Sequence, residues 1–124
     1  MQKKKILIVD DEPHIRLALS RLLGRDYTVL EASDGEEALN MARSQKPDLI
    51  LMDVMMPKLD GIGACNILKS DLGTKGIPIV MLTALADILD HKYAKEMGAD
   101  GYITKPCSFK DLRDTINHFL TEPK

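Results

Sequence analysis

The chain is poor in cysteine, has no long apolar run and shows no excess of charge of one sign. Its two cysteines, Cys65 and Cys107, cannot build a disulfide framework or, by themselves, a four-ligand zinc site. The basic start, Met1-Gln2-Lys3-Lys4-Lys5, leads into four apolar residues, Ile6-Leu7-Ile8-Val9, and then meets Asp10. A secretory signal needs about 7–15 apolar residues and a membrane-spanning helix about 18. A cytoplasmic protein with free thiols is therefore expected. The 17 basic and 19 acidic residues divide as 9 and 11 through Asp60 and 8 and 8 after it. Neither half is a basic surface, so no direct nucleic-acid contact and no membrane binding are expected. There is no internal repeat, low-complexity tract or linker.

What is there is the composition of one globular domain. The length of 124 residues suits a single domain over 1–124, closing in a polar tail over 121–124. A hydrophobic content of 44% argues against disorder and for a core that needs no staples. Short apolar runs alternate with helical patterns. Ile6–Val9, Thr28–Ala32, Leu49–Met52, Ile77–Leu82 and Tyr102–Thr104 read as strands. Between them lie apolar residues at helical spacing. Pro13 suits the first turn of one helix and Gly24 its stop, and Ser33 or Asp34 can cap the next. Further helices are expected over about Ile62–Lys69, with Cys65 and Leu68 inward, and over about Asp87–Met97. Ser108 can cap a last one that sets Phe109, Leu112, Ile116, Phe119 and Leu120 on one face. Five β–α units with continuous apolar strands predict an α/β fold with a parallel sheet covered on both faces.

In open α/β sheets, ligands bind beyond the carboxyl ends of the strands. The first strand ends in Asp10-Asp11-Glu12, the third in Asp53, the fourth in Thr83-Ala84 and the fifth in Lys105-Pro106. Taken alone, Asp10–Glu12 could merely cap the first helix, Lys105 could be a solvated lysine, and Thr83 could be there for strand propensity. His14, His91 and His118 have no second His or Cys at ligand spacing and read as surface residues.

These pieces together resemble the receiver domain of two-component response regulators. The matching residues are Ile8-Val9-Asp10-Asp11-Glu12-Pro13, Asp53 with Met56-Pro57 and Asp60-Gly61, Thr83-Ala84, and Gly98-Ala99-Asp100 through Tyr102-Ile103-Thr104-Lys105-Pro106. They span nearly the whole chain in the order and spacing of that family. The resemblance implies a flavodoxin-like three-layer sandwich, with five parallel strands in order 2-1-3-4-5. It implies phosphorelay signalling rather than enzyme turnover, with a histidine kinase or phosphotransfer protein as donor and Asp53 as phosphoacceptor.

Chemistry agrees with that assignment. A carboxylate can attack phosphorus to give an acyl phosphate. The transfer then needs positioning and charge neutralisation more than covalent help. Clustered acids repel one another, and oxygen-only ligation favours Mg²⁺. The resemblance makes Asp11, Asp53 and the Met55 main-chain carbonyl ligands of one ion, with Asp10 acting through water and Mn²⁺ a possible substitute. It gives Lys105, Thr83 and the Ala84 N–H to the phosphoryl oxygens, and implies a cis peptide before Pro106. It makes Thr83 and Tyr102 a switch that remodels the surface of the helix near 87–97 and the fifth strand.

A haloacid-dehalogenase-like hydrolase also phosphorylates an aspartate, but it carries a second Asp where this chain has Met55. A flavodoxin-like cofactor module needs a Gly-, Ser- or Thr-rich loop where this chain has three acids. A degenerate receiver is disfavoured because every site position is filled. Met55 and Leu85 are apolar where the family controls water access, so slow self-dephosphorylation is expected. Cys107 stands where the family commonly has Phe. Gly101 and Thr115 break the pairing network of winged-helix regulators. A monomer or weak phosphorylation-dependent dimer is thus expected, in a stand-alone receiver or one from a hybrid or other multidomain protein, with an output partner outside these residues.

Overall fold

The computed structural model describes residues 3–53, 61–84, 99–105 and 108–121. Five strands, β1 (Lys5–Val9), β2 (Thr28–Ala32), β3 (Leu49–Asp53), β4 (Ile79–Ala84) and β5 (Gly101–Lys105), form one sheet in order β2-β1-β3-β4-β5. Every neighbouring pair is parallel. The four described helices are α1 (Pro13–Leu23), α2 (Gly35–Gln45), α3 (Gly61–Ser70) and α4 (Phe109–Thr121). The helix expected near 87–97, and residues Met55, Met56, Pro57, Asp60, Leu85, His91, Pro106 and Cys107, lie outside the described residues.

Successive strand residues point to opposite faces, and both faces here are apolar. Leu7, Val9, Ile50, Met52, Ile79 and Met81 pack on Ala38 and Ala42 of α2 and Ala64, Cys65 and Leu68 of α3. Ile6, Ile8, Leu49, Leu51, Val80, Leu82 and Ile103 pack on Leu23 of α1 and Leu112 and Ile116 of α4. This double burial is why β1 and β3 read as unbroken apolar runs, and it makes the fold the expected three-layer sandwich. Burial also pushes the Cys65 thiol up to about 11, so this cysteine behaves as a small hydrophobe.

The helix ends follow their residues. Pro13 opens α1, and the Gly24 N–H closes it on the Ser20 carbonyl at 2.8 Å. Between the two expected caps of α2 the structure uses Asp34, whose carboxylate accepts the Glu37 N–H at 2.9 Å. Ser108 caps α4 by accepting the Asp111 N–H at 3.0 Å.

Two readings change. The fourth strand begins at Ile79 and not at Ile77, because the Asp100 carboxylate takes the Ile79 N–H at 2.8 Å while the Pro78 carbonyl accepts Ile50 N–H at 2.9 Å. At its other end the strand runs through Thr83 and Ala84, which pair with Thr104 and Lys105. Phe109 does not join the core: it is 37% exposed at the first turn of α4. Gly101 has a packing reason of its own, since a Cβ there would stand 2.8 Å from the Phe119 ring.

Candidate phosphoryl and metal site

The register gathers the site. Val9 of β1 lies opposite Met52 of β3, so Asp10 and Asp53 follow at neighbouring positions where the two central strands end. After β1 the chain goes to α1 on one face, and after its neighbour β3 to α3 on the other, which opens a crevice between these strands at the carboxyl end of the sheet. Asp53 also pairs with Leu82, the residue before Thr83. Ala84 pairs with Lys105 one strand further out. Asp10, Asp53, Thr83, Ala84 and Lys105 thus occupy one edge of four adjoining strands.

The carboxylates of Asp10, Asp11 and Asp53 each place an oxygen within 4.8 Å of the others. Asp10 is 1% exposed, Asp53 half-buried and Asp11 exposed. The Asp10 carboxylate accepts the Glu12 N–H at 2.9 Å, which turns the chain into α1. Glu12 holds the N-cap position of α1 without a side-chain cap bond, and the first turn carries no acid. Helix capping therefore does not account for these acids. Three carboxylates converging from a buried to an exposed position form an all-oxygen donor set that suits a hard divalent cation such as Mg²⁺. Tyr102 of β5 pairs with Met81 of β4 and is 41% exposed.

Sequence reasoning overlooked Arg16. Its guanidinium donates to the Asp10 main-chain carbonyl and pairs with Glu31 of β2 at 3.3 Å. It ties the end of β1, α1 and β2 together beside the acid cluster. The available signal was its place at the close of the first turn of a helix that starts at the site.

The family model of the response regulator receiver domain matches residues 6–117. A probable transcriptional regulator ycf27 of Guillardia theta is 49% identical over 119 residues, 95% of this chain and 46% of that protein. The chain spans about half the length of the curated relatives it matches. Among solved structures, a response regulator described as putative from Chloroflexus aurantiacus J-10-fl superposes with a TM-score of 0.90 at 34% identity, over 98% of this chain and all of that one. The receiver domain of sensor histidine kinase PA1611 from Pseudomonas aeruginosa PAO1, with a magnesium ion coordinated in its active-site cleft, gives 0.88 at 29% identity over 97% and 99% of the two chains. Relatives thus include transcriptional regulators and the receiver domain of a sensor histidine kinase. No helix among the described residues is long and apolar enough to cross a membrane. With the matched model running from β1 into α4, the chain belongs to the response regulator receiver domain family.

Proposed function

We propose that residues 1–124 form one receiver that takes a phosphoryl group onto Asp53 from a histidine kinase or phosphotransfer protein. The observation that carries this reading is the convergence of Asp10, Asp11 and Asp53 within 4.8 Å at the end of the two central strands. A carboxylate oxygen of Asp53 attacks phosphorus as the bond to the donor nitrogen breaks. Asp11, Asp53 and the Met55 carbonyl hold one divalent ion, with Asp10 behind them through water; Mn²⁺ can replace Mg²⁺. Bound there, the ion neutralises charge on the phosphoryl oxygens. Lys105, the Thr83 hydroxyl and the Ala84 N–H receive the remaining oxygens.

The shared strand end supports these roles, since Lys105 starts two strand spacings, about 10 Å, from Asp53. Phosphorylation draws Thr83 toward the site and Tyr102 inward from its exposed position, changing the surface that a partner reads. The receiver signals without catalytic turnover on a substrate, acts in the cytoplasm, and is a monomer or a weak phosphorylation-dependent dimer. It touches neither nucleic acid nor membrane directly. The transcriptional relatives support an output in gene regulation, carried outside residues 1–124.

Treatment with a small-molecule phosphodonor and Mg²⁺, followed by mass mapping, tests the assignment. One phosphoryl adduct is expected at Asp53, and none in Asp53→Ala. Labelling that survives the substitution refutes the reading. The adduct should also be long-lived, because neither Met55 nor Leu85 can orient an attacking water. Met55→Asn combined with Leu85→Glu should speed phosphate release by about tenfold or more; unchanged release would remove that explanation of lifetime.

A further inference from the structure

Asp10 and Asp11 follow the last residue of β1, so the sheet ladder alone does not set their position. Three hydrogen bonds hold this segment. The Asp10 N–H donates to the Ala32 carbonyl of β2 at 3.1 Å, and the Asp10 carboxylate accepts the Glu12 N–H at 2.9 Å. The third is made by the Asp10 carbonyl, which accepts from the Arg16 guanidinium. That carbonyl belongs to the planar peptide unit that joins Asp10 to Asp11. Holding its oxygen therefore fixes where the Asp11 side chain begins. Arg16 is itself held. Its side chain is 18% exposed, its Nε lies 3.3 Å from the Glu31 carboxylate, and its N–H donates to the Glu12 carbonyl at 3.2 Å one turn back. The planar fork of a guanidinium can serve a carbonyl and a carboxylate at once. The result is a strut that runs from β2 through α1 to the peptide carrying two of the three clustered acids.

We infer that Arg16 is a positioning residue for the metal site: steered by Glu31, it presets the Asp10–Asp11 peptide so that the acid cluster binds a divalent cation tightly. This rests on the reading of Asp10, Asp11 and Asp53 as a Mg²⁺ site. Arg16 acts through the main chain and not on the ion. Electrostatics alone would give the opposite sign. A guanidinium beside three carboxylates offsets part of the charge that attracts a cation, so its removal should tighten binding. Positioning predicts that its removal weakens binding, because a peptide no longer held must be ordered when the ion arrives. Glu31 keeps the guanidinium on the carbonyl. Without that anchor the guanidinium would turn to the clustered carboxylates and compete with the ion for them.

The test is calorimetric titration of the chain with MgCl₂. The wild type should bind Mg²⁺ saturably; no binding would refute the metal-site reading and this inference with it. Arg16→Met, with similar length but neither donor nor charge, should raise the Kd about tenfold. Arg16→Lys keeps the charge but not the fork and should raise it about threefold. Glu31→Gln should raise the Kd about threefold in the wild type and leave it unchanged in Arg16→Met, since the two side chains act through one contact. Arg43→Met, which breaks the 3.1 Å pair with Asp71, should lower the melting temperature and leave the Kd as it is. A Kd for Arg16→Met at or below the wild-type value overturns the inference while the metal site stands. So does an equal effect of Glu31→Gln in both backgrounds. A tenfold rise in Arg43→Met as well would mean that lost stability, not position, sets the affinity, and overturns it too. If Arg16→Met does not fold, Arg16→Lys decides, and a wild-type Kd there overturns the inference.

Discussion

The two ends of the sheet use the same residue type in opposite ways. At the amino end, carboxylates are fixed one by one. Asp48 accepts the Lys5 N–H at 2.7 Å, Asp100 pairs with Lys69 at 2.6 Å, Asp71 with Arg43 at 3.1 Å and Asp26 with Arg113 at 3.2 Å. Each joins elements distant in sequence. At the carboxyl end, Asp10, Asp11 and Asp53 are instead brought toward one another. A carboxylate held against a cation stabilises the fold, whereas carboxylates brought close to one another also repel, and a divalent cation relieves that repulsion. The difference separates a structural end from the end proposed to react, and each can be tested by removing its charge.

The largest effect is expected at the reactive end. Without divalent cation, Asp11→Asn should raise stability by on the order of 1–2 kcal/mol, because one carboxylate leaves a repelling set. With Mg²⁺ at a hundred times its Kd, the wild type should gain about 2.7 kcal/mol by linkage. The variant should lose most of that gain, together with most of its phosphoryl uptake. Thermal melts with and without MgCl₂ measure both quantities. A variant less stable than wild type in metal-free buffer would mean that the cluster is already neutralised like the amino end.

This contrast was largely readable in the sequence. Asp10 and Asp53 each terminate an apolar run, and parallel strands that start level also end level, so the acids had to meet. The amino end was much less legible. The start of β4 depends on Asp100, which lies 21 residues beyond Ile79 and carries no local signal of that contact. At the carboxyl end, Arg16 on α1 likewise gained its role from Glu31 on β2, 15 residues further along the chain. Lys46 holds a left-handed backbone, φ 49°, where Gly or Asn would have announced the turn. Phe109 has helical spacing to Leu112 and Ile116, yet it faces a groove beside α1 and not the core. Periodicity reports which face is apolar, but not whether a neighbour covers its last turn.

A smaller effect is expected from Lys69→Met. The ammonium pairs with Asp100 at 2.6 Å and donates to the carbonyls of Ile77 at 2.9 Å and Lys75 at 3.2 Å. It thereby joins α3 to the entry of β4 and to the segment before β5. Its loss leaves the Asp100 carboxylate, which is partly exposed, and two carbonyls to be satisfied by water. A loss of about 1–2 kcal/mol follows, discounted for solvent screening. Urea unfolding should show it, while labelling by a phosphodonor stays at the wild-type level. Loss of labelling at unchanged stability would erase the distinction between the two ends.

The smallest effect concerns pH. The Gly73 N–H at 3.0 Å, and then the Arg43 guanidinium at 3.1 Å, hold the Asp71 carboxyl below its ordinary value of 3.8. A depressed pKa in the folded state contributes stability that is fully present above 3.8 and is lost as pH falls through the lower folded value. Asp71→Asn lacks this contribution at every pH. The difference in urea midpoint between wild type and variant should therefore be largest near neutrality and close as the solution becomes more acid than 3.8. Salt should shrink it, because the carboxylate is exposed. A gap that widened on acidification would reverse the sign of the linkage and show that Asp71 is not held as a stabilised anion.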